Sequence, residues 1–147
     1  MAATRYTGKP CHDCGKKKGP NQADLMRCFT CQKIAKRKSR DNAHDRHIRT
    51  TYGLDLKEYR RLLSFQAGKC AICTRATGRS KRLAVDHDHA CREGHAPNVG
   101  CRECIRGLLC SFCNRAIGRW GDDPRVGERI AHYLTTPPWP TVRDARL

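Results

Sequence analysis

Residues 83–91 read LAVDHDHAC, a short apolar run followed by two Asp-His pairs and a cysteine. The run LAV predicts a strand. The acidic and imidazole side chains after it are suited to three roles: metal ligands, a catalytic pair, or a polar loop. The segment alone does not choose among them, so the flanking sequence must decide. Two C-x2-C pairs flank it, CAIC at residues 70–73 and CSFC at residues 110–113.

Cysteine is the most informative residue in the composition. The chain has 147 residues, of which 11 are cysteine, with 6% aromatic residues and a mean hydropathy of -0.76. A chain this small and polar needs covalent or metal cross-links to fold. Repeated C-x2-C spacing suits tetrahedral Zn²⁺ better than a disulfide framework. Because residues 1–10, MAATRYTGKP, lack the apolar segment of a signal peptide, we expect bound zinc in a reducing, intracellular compartment.

The cysteine spacing predicts two zinc sites of four cysteines each and leaves a third site open. The first lies in residues 11–31 and resembles a zinc ribbon or a small treble-clef-like knuckle. The second joins the two pairs that flank residues 83–91. Three further cysteines and a histidine lie between the predicted strands; they either form a third site or supply a pair that replaces the one at residues 110–113. The predicted ligands are Cys11, Cys14, Cys28 and Cys31; Cys70, Cys73, Cys110 and Cys113; and, for the third site, Cys91, His95, Cys101 and Cys104.

The charge of the chain favours a polyanionic partner. The formal net charge is +16, which indicates nucleic acid, while a ribosome-like or merely solvated surface is the alternative. Residues 32–49, QKIAKRKSRDNAHDRHIR, predict a basic connector that is partly helical and lies along phosphates; a solvated helix face is the alternative. No apolar run is long enough to cross a membrane.

The remaining elements follow from local signals. Residues 55–67, DLKEYRRLLSFQA, predict a helix that Asp55 caps and Gly68 ends. The segment IRGLLC predicts a second strand, and CSFCNRAIGRW a turn that leads into a helix. DDPRVGERIAHYL predicts a last helix with Pro124 near its first position. The proline-rich residues from 135 onward predict a tail without regular structure.

Several of these motifs occur together in one known order. C-x2-C, then VDHDH, then RGLLC-x2-CN closely resembles the recombination endonuclease VII family of phage enzymes, which belong to the HNH, or ββα-metal, nucleases. The resemblance covers residues 52–134, including the lead-in TYGLDLKEY. It implies a small α+β protein stapled by zinc, in which a ββα-metal, treble-clef-like nuclease core follows the N-terminal zinc ribbon.

The resemblance also implies a metal-dependent DNA endonuclease that produces 5′-phosphate and 3′-hydroxyl ends. Asp86 and Asn114 would hold one Mg²⁺ or Mn²⁺, His87 would act as general base, and His89 would contact phosphate or orient the loop. Oxygen ligands suit these cations, and an imidazole suits proton abstraction near neutral pH. Neighbouring residues of a regular strand point to opposite faces. Either the backbone therefore bends between Asp86 and His87, or the attacking water lies across from the metal.

Two departures from the family leave the substrate open. Ile117 stands where the prototype has an acidic residue one helical turn after the asparagine, and the residues after Asn114 do not match its long dimerising helices. Nicking, double-strand cleavage and cleavage of branched DNA such as a Holliday junction are all left open, and so is the oligomeric state.

A non-catalytic zinc-ribbon protein that binds nucleic acid is the alternative function. The expected location is the cytoplasm of a phage's host cell. The predicted units are residues 1–31 (tail and zinc ribbon), 32–54 (basic connector), 55–134 (nuclease domain) and 135–147 (proline-rich tail).

Overall fold

The basic segment forms one continuous helix and not a partly helical connector. The computed structural model describes residues 8–91, 96 and 99–144. Helix α1 spans Phe29–Tyr52, and only Cys31 and Ile48 along it are buried. The helix is therefore anchored at its two ends, by Cys31 in a cysteine cluster and by Ile48 in the core. The predicted boundary between residues 31 and 32 falls inside α1.

Helix α2 (Leu56–Phe65) begins at the predicted cap. The carboxylate of Asp55 accepts a hydrogen bond from the backbone N–H of Glu58 at 2.8 Å, and the Glu58 carboxylate accepts one from the N–H of Asp55 at 2.9 Å. These reciprocal bonds satisfy two backbone donors at the helix start. Helix α2 ends at Phe65, before the predicted end at residue 67, and the chain then turns at Ala67 and Gly68, whose φ values of 53° and 73° are left-handed.

Strands β1 (Ala84–His87) and β2 (Ile105–Leu109) form an antiparallel pair. Asp86 lies opposite Gly107 and His87 opposite Ile105, so Arg106 is the extra residue of a β-bulge. The register of the two strands therefore shifts between Asp86 and His87. Asp86 and His87 are only 6% and 8% exposed, although a regular strand would turn them to opposite faces. The strand also runs two residues further than the LAV segment.

Helix α3 (Ser111–Arg119) follows β2 directly and packs on both strands. Helix α4 (Pro124–Thr135) begins where predicted, with the Asp123 side chain accepting from the N–H of Arg125 at 2.9 Å. The prediction of an irregular tail is wrong for Pro138–Asp144, which forms the short helix α5. Proline suits a first helical turn because that turn needs no N–H from it. Among the described residues, no helix has both the length and the apolar character to span a bilayer.

The core is small and lies between α1, α2 and the sheet. Its largest fully buried side chains are Ile48 and Leu108, and Tyr59 is 3% exposed. The Tyr59 hydroxyl donates to the backbone oxygen of Leu83 at 2.8 Å, which fixes α2 to the start of β1. Buried cysteines join this core. The predicted small α+β class is confirmed, and the core supports the two strands that carry the site.

Candidate active site

Three groups of cysteine sulfurs are arranged as zinc ligands would be. In each group all the sulfurs lie within 4.8 Å of one another. Four ligands at about 2.3 Å from a tetrahedral Zn²⁺ stand about 3.8 Å apart. The pairs Cys14–Cys28 and Cys73–Cys110 are 3.9 and 4.0 Å apart. The clusters suggest zinc binding, and the pair that completes the second set is the one at residues 110–113. The groups are Cys11, Cys14, Cys28, Cys31; Cys70, Cys73, Cys110, Cys113; and Cys91, Cys101, Cys104.

The backbone around the first two groups favours thiolates, the form that binds metal. The N–H of Cys28 donates to Cys11 Sγ at 3.2 Å and lowers the pKa of that thiol to about 6. Hydrogen bonds from the backbone at Ala76 and Arg75 lower the pKa of Cys73 to about 6. Burial raises the pKa of Cys113 to about 12. A bound dication would favour the ionised thiolate of Cys113 and so offset the effect of its burial. Metal binding and folding are therefore coupled.

The third cysteine group lies just beyond the candidate active site. Cys91 Sγ and Cys101 Sγ are 3.7 Å apart, and the N–H of Cys101 donates to Cys104 Sγ at 3.1 Å. His95, the predicted fourth ligand, lies outside the described residues. The backbone oxygen of Cys104 accepts from the N–H of Asp88 at 2.8 Å. The group therefore closes the connection between β1 and β2 immediately after His87.

The predicted catalytic residues line one pocket of about 290 Å³. It is bordered by β1, the first turn of α3 and the C-terminal part of α1. Three of its residues come from α1 and were not predicted from the sequence. The pocket is lined by Asp86, His87, His89 and Asn114, together with His47, Thr51, Tyr52 and Val85. The structure thus brings together the four predicted side chains, of which the first and the last, Asp86 and Asn114, are 28 residues apart in the sequence.

His87 is held tightly by aromatic neighbours. Its ring lies 5.4 Å from the Tyr52 ring and 4.8 Å from the His89 ring, measured between centroids. Within the described part of the chain, its buried Nε2 has no hydrogen-bond partner. A buried polar atom without a partner costs free energy, and a ligand that donates a hydrogen bond to it would remove that cost.

Asp86 belongs to a chain of charged groups. The Arg106 guanidinium donates to both Asp86 oxygens, at 2.8 and 3.1 Å, and also to Asp122 Oδ1 at 3.2 Å. Asp122 Oδ2 lies 2.7 Å from His89 Nδ1. The hydrogen bond to Asp86 raises the pKa of Arg106. Burial opposes ionisation of Asp122, but the bonds to His89 and Arg106 outweigh it and lower its pKa.

Sequence reasoning gave no role to several of these residues. Arg106 lies within the quoted RGLLC motif, but its position became visible only with the strand register. Asp122, with a left-handed φ of 56°, lies in the turn between α3 and α4. Ile117 packs against the core and does not provide an acidic group. Asp122 instead brings a carboxylate near the pocket from beyond the end of α3.

The comparisons with known proteins give the family of the chain. The profile of the recombination endonuclease VII family matches residues 45–136, more than half of the chain. The Gene 59 protein of Mycobacterium phage D29 is 36% identical over 97% of this chain and 83% of that protein. The Gene 59 protein of Mycobacterium phage L5 is 34% identical over 97% of this chain and 84% of its own length. The family implies a nuclease with a nucleic-acid partner. The pocket at residues 86–114 lies within the matched region, and the chain belongs to the recombination endonuclease VII family.

Proposed function

We propose that this chain is a metal-dependent DNA endonuclease of the HNH type. It hydrolyses phosphodiester bonds to 5′-phosphate and 3′-hydroxyl ends. The observation that carries the proposal is the pocket that unites Asp86, His87, His89 and Asn114. A protein that only binds nucleic acid needs no such combination of a carboxylate, an amide and an unpartnered imidazole.

The proposed nuclease core consists of β1, β2 and α3. These elements follow one another in the ββα order, and the second cysteine group ties the start of α3 to residues 70–73. Zinc bound there would fix the first turn of α3, which carries Asn114, against the strand that carries Asp86. Structural zinc keeps all four positions filled by protein, so it positions this core and takes no part in the chemistry.

The pocket fits a hard divalent cation. Asp86 and Asn114 supply oxygen ligands of the kind that Mg²⁺ and Mn²⁺ prefer. The Arg106 guanidinium donates one hydrogen bond to each Asp86 oxygen. Each oxygen has a second lone pair that a cation can use. Asp122 pairs with the same guanidinium, so the group of two carboxylates and one arginine keeps a net negative charge. That charge favours a cation in the pocket.

The residues then divide the hydrolysis between them. A bound Mg²⁺ or Mn²⁺ supplies stabilisation of negative charge on the phosphate and on the leaving oxygen. His87 accepts a proton from the attacking water, whose oxygen forms the new bond to phosphorus. The bond from phosphorus to the 3′-oxygen breaks, and that oxygen takes a proton from solvent water and leaves as a 3′-hydroxyl. His89 is held at Nδ1 by Asp122 and lies beside His87, where it orients the loop that follows β1.

Cleavage assays test the proposal directly. Supercoiled plasmid and a synthetic four-way junction are incubated with Mg²⁺ or Mn²⁺ and with the wild type, His87→Ala or His132→Ala. His132 is exposed on α4, so its variant is a matched histidine control. We expect cleavage by the wild type and the control and loss of at least about 100-fold in His87→Ala. A wild type as inert as His87→Ala on both substrates would overturn the enzyme and favour the non-catalytic binding protein.

The same assay addresses the substrate and the setting. Nicked circles, linear plasmid and symmetrically cut junctions distinguish nicking, double-strand cleavage and Holliday-junction cleavage. The proposed setting is the cytoplasm of a phage's host cell, because the two relatives are phage proteins. The proposed cofactors are a catalytic Mg²⁺ or Mn²⁺ and structural zinc in the cysteine groups, with two four-cysteine sites and a third at Cys91, Cys101 and Cys104.

A further inference from the structure

A basic groove of about 1070 Å³ lies along α1, outside the pocket that holds the candidate catalytic residues. One wall is formed by α1 between Lys33 and His47; the other is formed by α2 and the loop at residues 78–82. Its floor includes Leu56, Leu63 and Tyr59. Its cations come from both walls: Lys33, Lys36, Arg37, Arg40, Arg79 and Arg82.

The cations that α1 contributes to the groove are available for a ligand. Asp41 is the one acidic residue among the described residues that line it, and it is already paired with Arg60 and Arg82. The α1 cations lie at positions 33, 36, 37 and 40, a spacing that puts them on one helix face. All four are exposed, and none forms an ion pair with another described residue. Such a row of unpaired like charges repels itself and is stabilised by a polyanion.

The groove leads to the candidate active site. His47 lines both the groove and the catalytic pocket. At 1.5 Å per residue, Lys33 and Arg40 stand about 10 Å apart along α1, and Lys33 and His47 about 21 Å. Duplex DNA rises about 3.4 Å per base pair along its axis, so this path spans about six base-pair steps of duplex. The row of cations and the pocket therefore lie on one line.

We propose that this groove binds the phosphate backbone of DNA and guides the strand into the cleavage pocket. The inference rests on the proposed function and adds the path by which the substrate approaches. The contacts are to phosphate, so they supply salt-dependent affinity and orientation without reading sequence. The anchored ends of α1 keep the row of cations straight and fixed relative to the pocket.

The test compares two double variants with equal changes. The groove variant is Lys36→Gln with Arg40→Gln, and the control is Lys38→Gln with Arg46→Gln. Both remove one lysine and one arginine from α1, but residues 38 and 46 do not line the groove. Affinity for a labelled DNA duplex is measured by anisotropy at several salt concentrations, in full-length protein carrying His87→Ala to prevent cleavage.

We expect the groove variant to lose about two units of the slope of log affinity against log salt, since each phosphate contact contributes about 0.9. Its affinity near 0.1 M salt should fall by at least about tenfold, and the control should change by less than about twofold. Equal losses of DNA affinity in the two variants, or an unchanged salt slope in the groove variant, would overturn the proposal that the groove binds DNA. So would an RNA duplex of the same length that competes better than DNA.

Cleavage kinetics separate this inference from the proposed function. In protein that retains His87, the groove variant should raise KM while kcat stays within about twofold, because the lost contacts are made equally in ground and transition states. A fall in kcat at unchanged KM would overturn the groove as a binding path. Absence of cleavage in the wild type, with the salt dependence as expected, would refute the nuclease and leave a DNA-binding groove.

Discussion

Gly100→Ala tests how tightly the proposed general base is held. A Cβ at position 100 would lie 3.0 Å from Tyr52 Cδ1 and 3.2 Å from two carbons of the His87 ring. Favourable carbon–carbon contacts are about 3.5–4.0 Å. The Gly100 N–H donates to the Thr51 oxygen at 2.8 Å, which ties this backbone to α1. We therefore expect the rings to move, and not the backbone.

The expected displacement of the His87 ring is about half an ångström, the difference between those distances and ordinary contact. A displacement of about 1 Å in a catalytic group costs about 100-fold in rate. We therefore expect kcat to fall about tenfold for Gly100→Ala, with DNA affinity unchanged. Overpacking should also lower the free energy of unfolding by about 1–3 kcal/mol.

The measurement is single-turnover nicking of supercoiled plasmid, with zinc content and denaturant unfolding measured on the same preparations. Gly127→Ala is the matched control, because nothing lies within 4 Å of its added Cβ on α4. That variant should keep wild-type kcat and gain up to about 1 kcal/mol from helix propensity. A folded, zinc-loaded Gly100→Ala protein with wild-type kcat would refute the close packing of His87 as a catalytic constraint.

Three further perturbations follow from other contacts. Tyr59→Phe leaves the Leu83 oxygen without its 2.8 Å donor and should cost about 1–3 kcal/mol in urea unfolding; equal stability would contradict the bond. Asp122→Asn keeps a residue that tolerates a left-handed backbone but ends the ionic contacts to His89 and Arg106, so nicking should slow by about 10–100-fold; unchanged nicking would contradict the proposed support. Zinc measured by mass spectrometry should be near three per chain and fall to two in Cys101→Ser, whereas two in both proteins would remove the third site.

Features encoded by neighbouring residues could be predicted from the sequence. Asp55 and Pro124 mark helix starts because caps depend on local backbone geometry. C-x2-C pairs indicate metal sites for the same reason. The alternation of side chains along a regular strand predicted either a bend between Asp86 and His87 or a water across from the metal; the structure has a register shift at this point, with the extra residue on β2.

Features that depend on tertiary contacts could not be predicted from the sequence. The segment that became α1 has almost no apolar periodicity, and its continuity rests on Cys31 and Ile48, which are buried by parts of the chain far away in sequence. The role of Arg106 depends on a bulge, and therefore on strand register. Asp122 meets His89 across 33 residues. No local pattern could place these groups in one network.

The arrangement of the charges explains how one strongly basic chain can prepare a site for a cation. Along α1 the basic side chains that line the groove are exposed and unpaired with other described residues, so they attract phosphates. At the pocket, the guanidinium of Arg106 is bound by both Asp86 and Asp122. A free guanidinium there would repel a metal ion; one shared by two carboxylates leaves net negative charge. The bulge in β2 therefore brings Arg106 to Asp86, and the turn after α3 brings Asp122 to Arg106, an arrangement that favours the cation of the proposed mechanism.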